Sequence, residues 1–147
     1  MAQAIVFGLV LAITSCTSNS KPTPASVAEL RKLPEDHIFF SGSSTIGETE
    51  YSATGVDTGG ASPDTGWIMG TPASQADVLS FYEKQLQQRG WQRNDGAVIQ
   101  TTAETLVAGW QKEQYIFRLG FSRPGDPRNP GNGAYPTVYS MSITTKS

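Results

Sequence analysis

The second half of the chain alternates apolar and polar residues with a period of two, and this pattern constrains its fold more than any other feature. The alternation covers three segments, residues 106–111, 115–122 and 137–144. Successive side chains of a strand point to opposite faces of a sheet, so each of these segments has one apolar face to bury. The pattern predicts an antiparallel sheet with one buried face.

One helix is predicted, over residues 74–89. Ser74 is placed to accept hydrogen bonds from the first free backbone amides, and Asp77 occupies the capping-box position three residues later. An apolar stripe follows at helical spacing. Its members are Val78, Leu79, Tyr82 and Leu86.

The end of this helix is predicted at Gly90. A glycine past the last turn adopts the left-handed conformation without strain, and the residue after it then folds back onto the helix. We therefore expect Trp91 to contact Leu86. A single main helix packed on one face of the antiparallel sheet buries both apolar surfaces, so the predicted fold class is α+β.

Other segments are predicted as strands with a weaker pattern. Before the helix these are residues 37–40, 46–51 and 66–69. After it, residues 91–93 and 97–100 flank the turn-rich Asn-Asp-Gly of residues 94–96, which favours a short hairpin. The expected order is a few strands, the helix and then four strands.

Cys16 is the only cysteine, and it follows an apolar run and the residues Ile13, Thr14 and Ser15. The run is about ten residues long, which suits a signal peptide and is too short to span a bilayer. The tetrapeptide ITSC resembles the bacterial lipobox. The resemblance implies that residues 1–15 are a cleaved lipoprotein signal peptide and that Cys16 carries lipid.

The tract that follows Cys16 is rich in Ser, Thr and Pro and has no large apolar residue. Such a composition cannot bury enough surface to fold, so residues 16–26 are interpreted as the lipidated cysteine and a flexible tether. Residues 27–147 have the length of a single domain. With no second cysteine, this domain has no internal disulfide.

The helix-to-strand segment DVLSFYEKQLQQRGW, taken with the lipobox, resembles a pattern found in small uncharacterised bacterial lipoproteins and secreted proteins. This resemblance covers about a third of the chain. It implies an α+β fold and a location in the cell envelope, with the domain outside the cytoplasm. It brings no catalytic residue with it.

The residues that carry chemistry are few. His37 is the sole histidine, and no GxSxG nucleophile motif accompanies it. Glu48 and Glu50 would share a strand face, which favours a solvated face over acid–base work. No metal-ligand or cofactor motif occurs, and we expect neither. A formal net charge of −2 gives no general attraction to nucleic acid.

Five residues are candidates for contacting a partner. Arg123, Arg128 and Tyr135 lie in residues 123–136, a proline- and glycine-rich loop of the length that often carries function. Arg118 lies in an aromatic-rich strand but faces away from its apolar neighbours, which favours an exposed position. Trp67 is flanked by turn residues, although core filling is the commoner role of tryptophan.

The function predicted from the sequence is a membrane-anchored envelope protein, held by lipid, whose domain binds or scaffolds an envelope protein or polymer. Two alternatives stay open. One is a small envelope hydrolase with His37 as the base. The other is a small-ligand binding module that uses the concavity between sheet and helix. Catalysis is the less favoured class.

Overall fold

The computed structural model of this chain describes residues 26–51 and 62–146. Two helices, α1 (Val27–Leu30) and α2 (Gln75–Gln88), accompany six strands. The strands are β1 (Ser44–Tyr51), β2 (Asp64–Thr71), β3 (Gln92–Arg93), β4 (Glu104–Lys112), β5 (Tyr115–Ser122) and β6 (Thr137–Thr145). Short 3₁₀ turns occupy Pro34–His37 and Asp95–Ala97.

The six strands form one sheet in the order β1-β2-β6-β5-β4-β3, and every neighbouring pair is antiparallel. The α2 helix packs against one face of it. The predicted α+β class, with one main helix on one face of an antiparallel sheet, is therefore confirmed. The three segments of strongest alternation are β4, β5 and β6, at the centre and one side of the sheet.

The ends of α2 lie where the sequence predicts them. The Ser74 hydroxyl accepts a hydrogen bond from the Asp77 amide at 3.1 Å, and the Asp77 carboxylate accepts in return from Ser74. Gly90 has a φ of 82°, and the Trp91 amide donates to the Leu86 carbonyl at 3.0 Å. The predicted return of the chain onto the helix end is confirmed.

The core lies between α2 and the inward face of the central strands. Its aromatic part is a chain of edge-to-face and tilted ring contacts, which stabilise the packing beyond the burial of their area. The rings are Tyr82, Trp91, Trp110, Phe117, Phe121 and Tyr139. The Tyr82 hydroxyl donates to the Ile38 carbonyl at 2.8 Å, so this buried polar group is satisfied.

Two predicted strands are wrong. Residues 37–40 contain the end of a 3₁₀ turn and an irregular segment, in which Ile38 is buried under α2 and Phe39 is exposed. Residues 97–100 also lie outside the sheet, because β3 pairs with β4 instead of forming a hairpin with them. In residues 37–40 the alternation arises because one side of this irregular segment is buried, although the segment is not part of the sheet.

The remaining strand predictions agree with the structure. Residues 46–51 fall within β1, residues 66–69 fall within β2, and four strands follow α2. Ser26, the last residue of the predicted tether, is the N-cap of α1, where its hydroxyl accepts from the Glu29 amide at 3.3 Å. Cys16 and residues 1–25, with the predicted signal peptide and most of the tether, lie outside the described residues.

Candidate functional site

The face of the sheet opposite α2 is polar and rich in glycine, and the long loop of residues 123–136 folds onto one end of it. Four successive turns shape this loop, each closed by a backbone hydrogen bond between residues three apart. Asp126 and Asn129 also accept hydrogen bonds from backbone amides two residues ahead. The loop is thus built from the Asp, Asn, Pro and Gly chemistry that favours turns.

A glycine in β2 lets this loop lie flat on the sheet. A Cβ atom at Gly70 would overlap the ring of Tyr135, so the ring occupies the space that a side chain would need. Gly131, within the loop, lies equally close to Ile46 and Val138. These contacts bury Val138 and half-bury Tyr135. Tyr135, a predicted contact residue, is therefore also part of the packing.

A pocket of about 220 Å³ lies between this loop and the sheet. Its lining is neutral, and it combines amide and hydroxyl groups with a tyrosine ring and apolar surface. Residues that line it include Ser122, Asn129, Asn132, Tyr135, Pro136 and Val138. The side-chain amide of Asn132 and the hydroxyl of Tyr135 make no hydrogen bond to another of the described residues. We call this feature the loop pocket.

The two arginines of the loop are not placed to bind an anion together. Arg128 donates two hydrogen bonds to Asp126, at 2.9 and 2.7 Å. These bonds hold the pKa of Asp126 at about 2, so both side chains stay ionised and the pair as a whole carries no net charge. Arg123 is exposed and donates to the Thr102 carbonyl at 3.4 Å.

Arg118 lies on the glycine-rich face, as its alternation predicts, but it is only partly exposed. Its guanidinium donates to both oxygens of Glu104, one of them at 2.6 Å, and to the Ile99 carbonyl at 3.2 Å. Glu104 also accepts from the amide and hydroxyl of Thr101. A Cβ atom at Gly120 would overlap this ion pair. The pair fixes the segment before β4 onto the sheet.

Trp67 lies on the other face of the sheet, in a surface cluster with His37 and Phe39. The rings of Phe39 and Trp67 meet edge to face with centroids 5.5 Å apart, and His37 lies about 6 Å from each ring. Trp67 is half-buried and Phe39 is 37% exposed. We call these three residues the aromatic patch.

Charged groups surround the aromatic patch. The Arg31 guanidinium lies 4.6 Å from the centre of the Trp67 ring, a cation–π contact, and pairs with Asp36 at 3.2 Å and Glu48 at 3.4 Å. The Trp67 indole donates to Asp36 Oδ2 at 3.3 Å. Asp36 Oδ1 is buried and has no hydrogen-bond partner in the described part of the chain.

His37 is exposed, with its Nε2 atom 3.8 Å from Asp36 Oδ2 and 3.2 Å from the Arg31 carbonyl. Glu48 lies opposite Trp67 in the β1–β2 register, and the Glu50 side chain lies outside the described residues. In residues 26–51 and 62–146, no three His, Cys, Asp or Glu side chains are grouped so as to hold a metal ion.

Sequence reasoning missed the Asn129 and Asn132 amides and the carboxylate of Asp36. The asparagines are part of turn signals, which gave no reason to assign them a further role. The role of Asp36 comes from its contacts with Arg31 and Trp67, and the contact with Trp67 depends on the packing of α1 beside β2.

Comparisons with protein-family profiles, with curated proteins and with solved structures each returned no match. None of the helices described here combines the length and the apolar character needed to cross a membrane.

Proposed function

We propose that this chain is a lipid-anchored protein of the cell envelope whose domain holds an envelope partner at the loop pocket. The lipobox at residues 13–16 and the polar tract behind it support the anchor. The anchor would leave the domain outside the cytoplasm and tied to a membrane.

The observation that carries the binding role is the loop pocket itself. Its volume of about 220 Å³ is below the roughly 300–1,000 Å³ typical of pockets that enclose a whole ligand. It suits a single side chain or sugar-sized group of a larger partner. The exposed side-chain amide of Asn132 makes no bond within the described residues, so it is available to the neutral donors and acceptors of a partner.

The charges of the loop bear on the class of partner. Because Arg128 is neutralised by Asp126, the exposed Arg123 is left as the one uncompensated charge of the loop, and a single exposed charge gives an anionic polymer only a weak attraction. A neutral segment of an envelope protein or polymer, held by hydrogen bonds and by the Tyr135 ring, fits the lining better. No metal or cofactor takes part in this proposal.

Proximity labelling from the anchored protein tests the role without assuming a ligand. The informative variants are Asn132→Ala and Tyr135→Phe, which remove polar groups but keep the ring over Gly70. Deleting the loop would be less informative, because it would uncover Val138. The matched control is Gln88→Ala, an exposed position on α2. Neighbours lost in the loop variants and kept in the control would support the proposal, and unchanged neighbours in all three would contradict it.

A hydrolase that uses His37 remains the second candidate, because His37 lies beside the buried carboxylate of Asp36. An orienting carboxylate is what a general-base histidine needs. The purified protein and its His37→Ala variant would be screened against envelope esters and amides. An activity lost with His37 would favour the hydrolase over the binding role.

A further inference from the structure

The aromatic patch lies close to the point where the domain joins its tether. The chain enters at Ser26, passes through α1, which packs beside β2, and reaches Arg31, whose side chain covers the Trp67 ring. At a helical rise of about 1.5 Å per residue, Ser26 and Arg31 are separated by only about 8 Å along this path. The patch therefore belongs to the surface nearest the anchor.

The length of the tether limits which surface can meet the membrane. Nine residues lie between Cys16 and Ser26, which makes ten steps along the chain, and a fully extended chain spans at most about 3.6 Å per step, or about 36 Å. That is close to the diameter of a domain of this size, which has a radius of gyration of about 13–14 Å. Only the surface around Ser26 can approach the bilayer without the tether being drawn out along the domain.

The chemistry of the patch suits a membrane interface. Trp67 has a half-buried ring and directs its indole N–H to Asp36, while Phe39 presents apolar surface to solvent. Tryptophan, which combines an apolar ring with a polar N–H, is enriched at membrane–water interfaces. Arg31 pairs with both Asp36 and Glu48 nearby, which leaves these three side chains with an excess of negative charge, so the docking rests on apolar contact and not on attraction to anionic lipid.

We propose that the aromatic patch of His37, Phe39 and Trp67 docks on the headgroup region of the bilayer to which Cys16 is anchored. This inference rests on the proposed lipid anchor. The loop pocket lies on the opposite face of the sheet, since Gly70 and Val138 alternate with the inward-facing Met69 and Tyr139. Docking would therefore leave the pocket facing away from the membrane and open to a partner.

Tryptophan fluorescence offers a direct test, because the other two tryptophans are buried: Trp91 is 4% and Trp110 1% exposed. The full-length lipidated chain is placed in phosphatidylcholine vesicles whose acyl chains carry bromine, a short-range quencher. We expect a loss of emission that the Trp67→Phe variant no longer shows. Because phosphatidylcholine carries no net charge, this loss should persist at high salt.

Two variants separate docking from a general effect of anchoring. Phe39→Ser should reduce the quenching of Trp67, whereas Ile99→Ser should leave it unchanged. Ile99 is the matched control because it is 82% exposed and lies by Arg118, on the other face of the sheet. Thermal melts of both variants check that the fold is retained.

Different results would contradict the lipid anchor and the docking of the aromatic patch. If a Cys16→Ser chain floats with vesicles as well as the original does, the lipid anchor is wrong. If the lipidated chain floats but Trp67 emission is the same with and without bromine, the anchor stands and the docking is overturned. Protection of Trp67 from aqueous acrylamide without quenching by bromolipid would assign the patch to a second copy of the chain, and would also overturn it.

Discussion

The indole Nε1 of Trp91 donates a 3.0 Å hydrogen bond to the carboxylate of Glu35, and both side chains are buried. The two residues are 56 positions apart. Glu35 belongs to the turn after α1, and Trp91 follows the glycine that ends α2. This bond therefore ties the entry of the domain to the end of its main helix.

Trp91→Phe should destabilise the domain by leaving Glu35 without its main partner. A buried charged acceptor that loses its donor costs about 1–3 kcal/mol beyond the loss of packing, and the Lys112 ammonium at 4.0 Å is too distant to replace it. Urea unfolding of Trp91→Phe and of Trp110→Phe measures the difference. Trp110→Phe is the control for ring size, and an equal loss in both variants would show that the bond to Glu35 contributes nothing.

The space above Gly70 yields a prediction about how the long loop is held. Gly70→Ala should cost about 1–3 kcal/mol, because the new methyl group would displace the Tyr135 ring. The cost should be smaller in a Tyr135→Ala background, where the obstacle is gone. Gly47→Ala is the control, since its Cβ atom would meet only Ile68, at an ordinary 3.8 Å. Equal costs in the two backgrounds would contradict this packing.

Asp64 should lower the stability of the folded domain at neutral pH but not in acidic solution. Burial raises the pKa of Asp64 above its ordinary value of 3.8, although the Ser142 hydroxyl and the charge of Arg118 oppose the shift. The ionised carboxylate is then disfavoured in the folded state, so stability falls as pH rises through the raised pKa. Asp64→Asn should raise the melting temperature at pH 7, and the gain should vanish below about pH 3.8.

Asp95 should have the opposite effect on the pH dependence of stability, because its pKa is lowered. Its hydrogen bond from Arg93 lowers its pKa, so the ionised form stabilises the fold above pH 3.8 and that stability is lost in more acidic solution. Asp95→Asn should therefore lower the melting temperature at pH 7. If both Asp→Asn variants shift the melting temperature in the same direction, the assignment of the two environments is wrong.

The Glu104–Arg118 pair should be sensitive to the loss of either partner. Glu104→Gln removes the charge that Arg118 faces, and breaking a largely buried pair costs up to about 3–5 kcal/mol. The double variant Glu104→Gln, Arg118→Met should be more stable than Glu104→Gln alone, because no unpaired charge is left. Chemical denaturation of the original protein, Glu104→Gln, Arg118→Met and the double variant checks this order. If the double variant loses as much unfolding free energy as the two single variants lose together, the two residues are not coupled.

Local chemistry made much of the fold predictable. Ser74, Asp77 and Gly90 determine the ends of α2 through their own backbone preferences, and alternation along β5 and β6 reflects burial of one face. Neither signal depends on knowing which strands are neighbours. For the same reason the location of the long loop follows from its prolines and glycines.

The parts that could not be predicted depend on contacts between distant segments. Ile38 and Phe40 alternate with Phe39 as strand residues would, yet they lie outside the sheet and contact Tyr82 and Phe81 of α2. Arg118 meets Glu104 only through the β4–β5 register and a bulge near Glu104. The loop pocket exists because Gly70 allows a ring to lie on the sheet, and sequence alone does not indicate which ring.

Lipidation of Cys16 is the central claim, and metabolic labelling with palmitate tests it most directly. The chain is expressed in a bacterial host with labelled palmitate, beside a Cys16→Ser variant. We predict that label is incorporated into the original chain and is absent from the variant. A chain that takes up no label, or a label that persists in Cys16→Ser, would contradict the account.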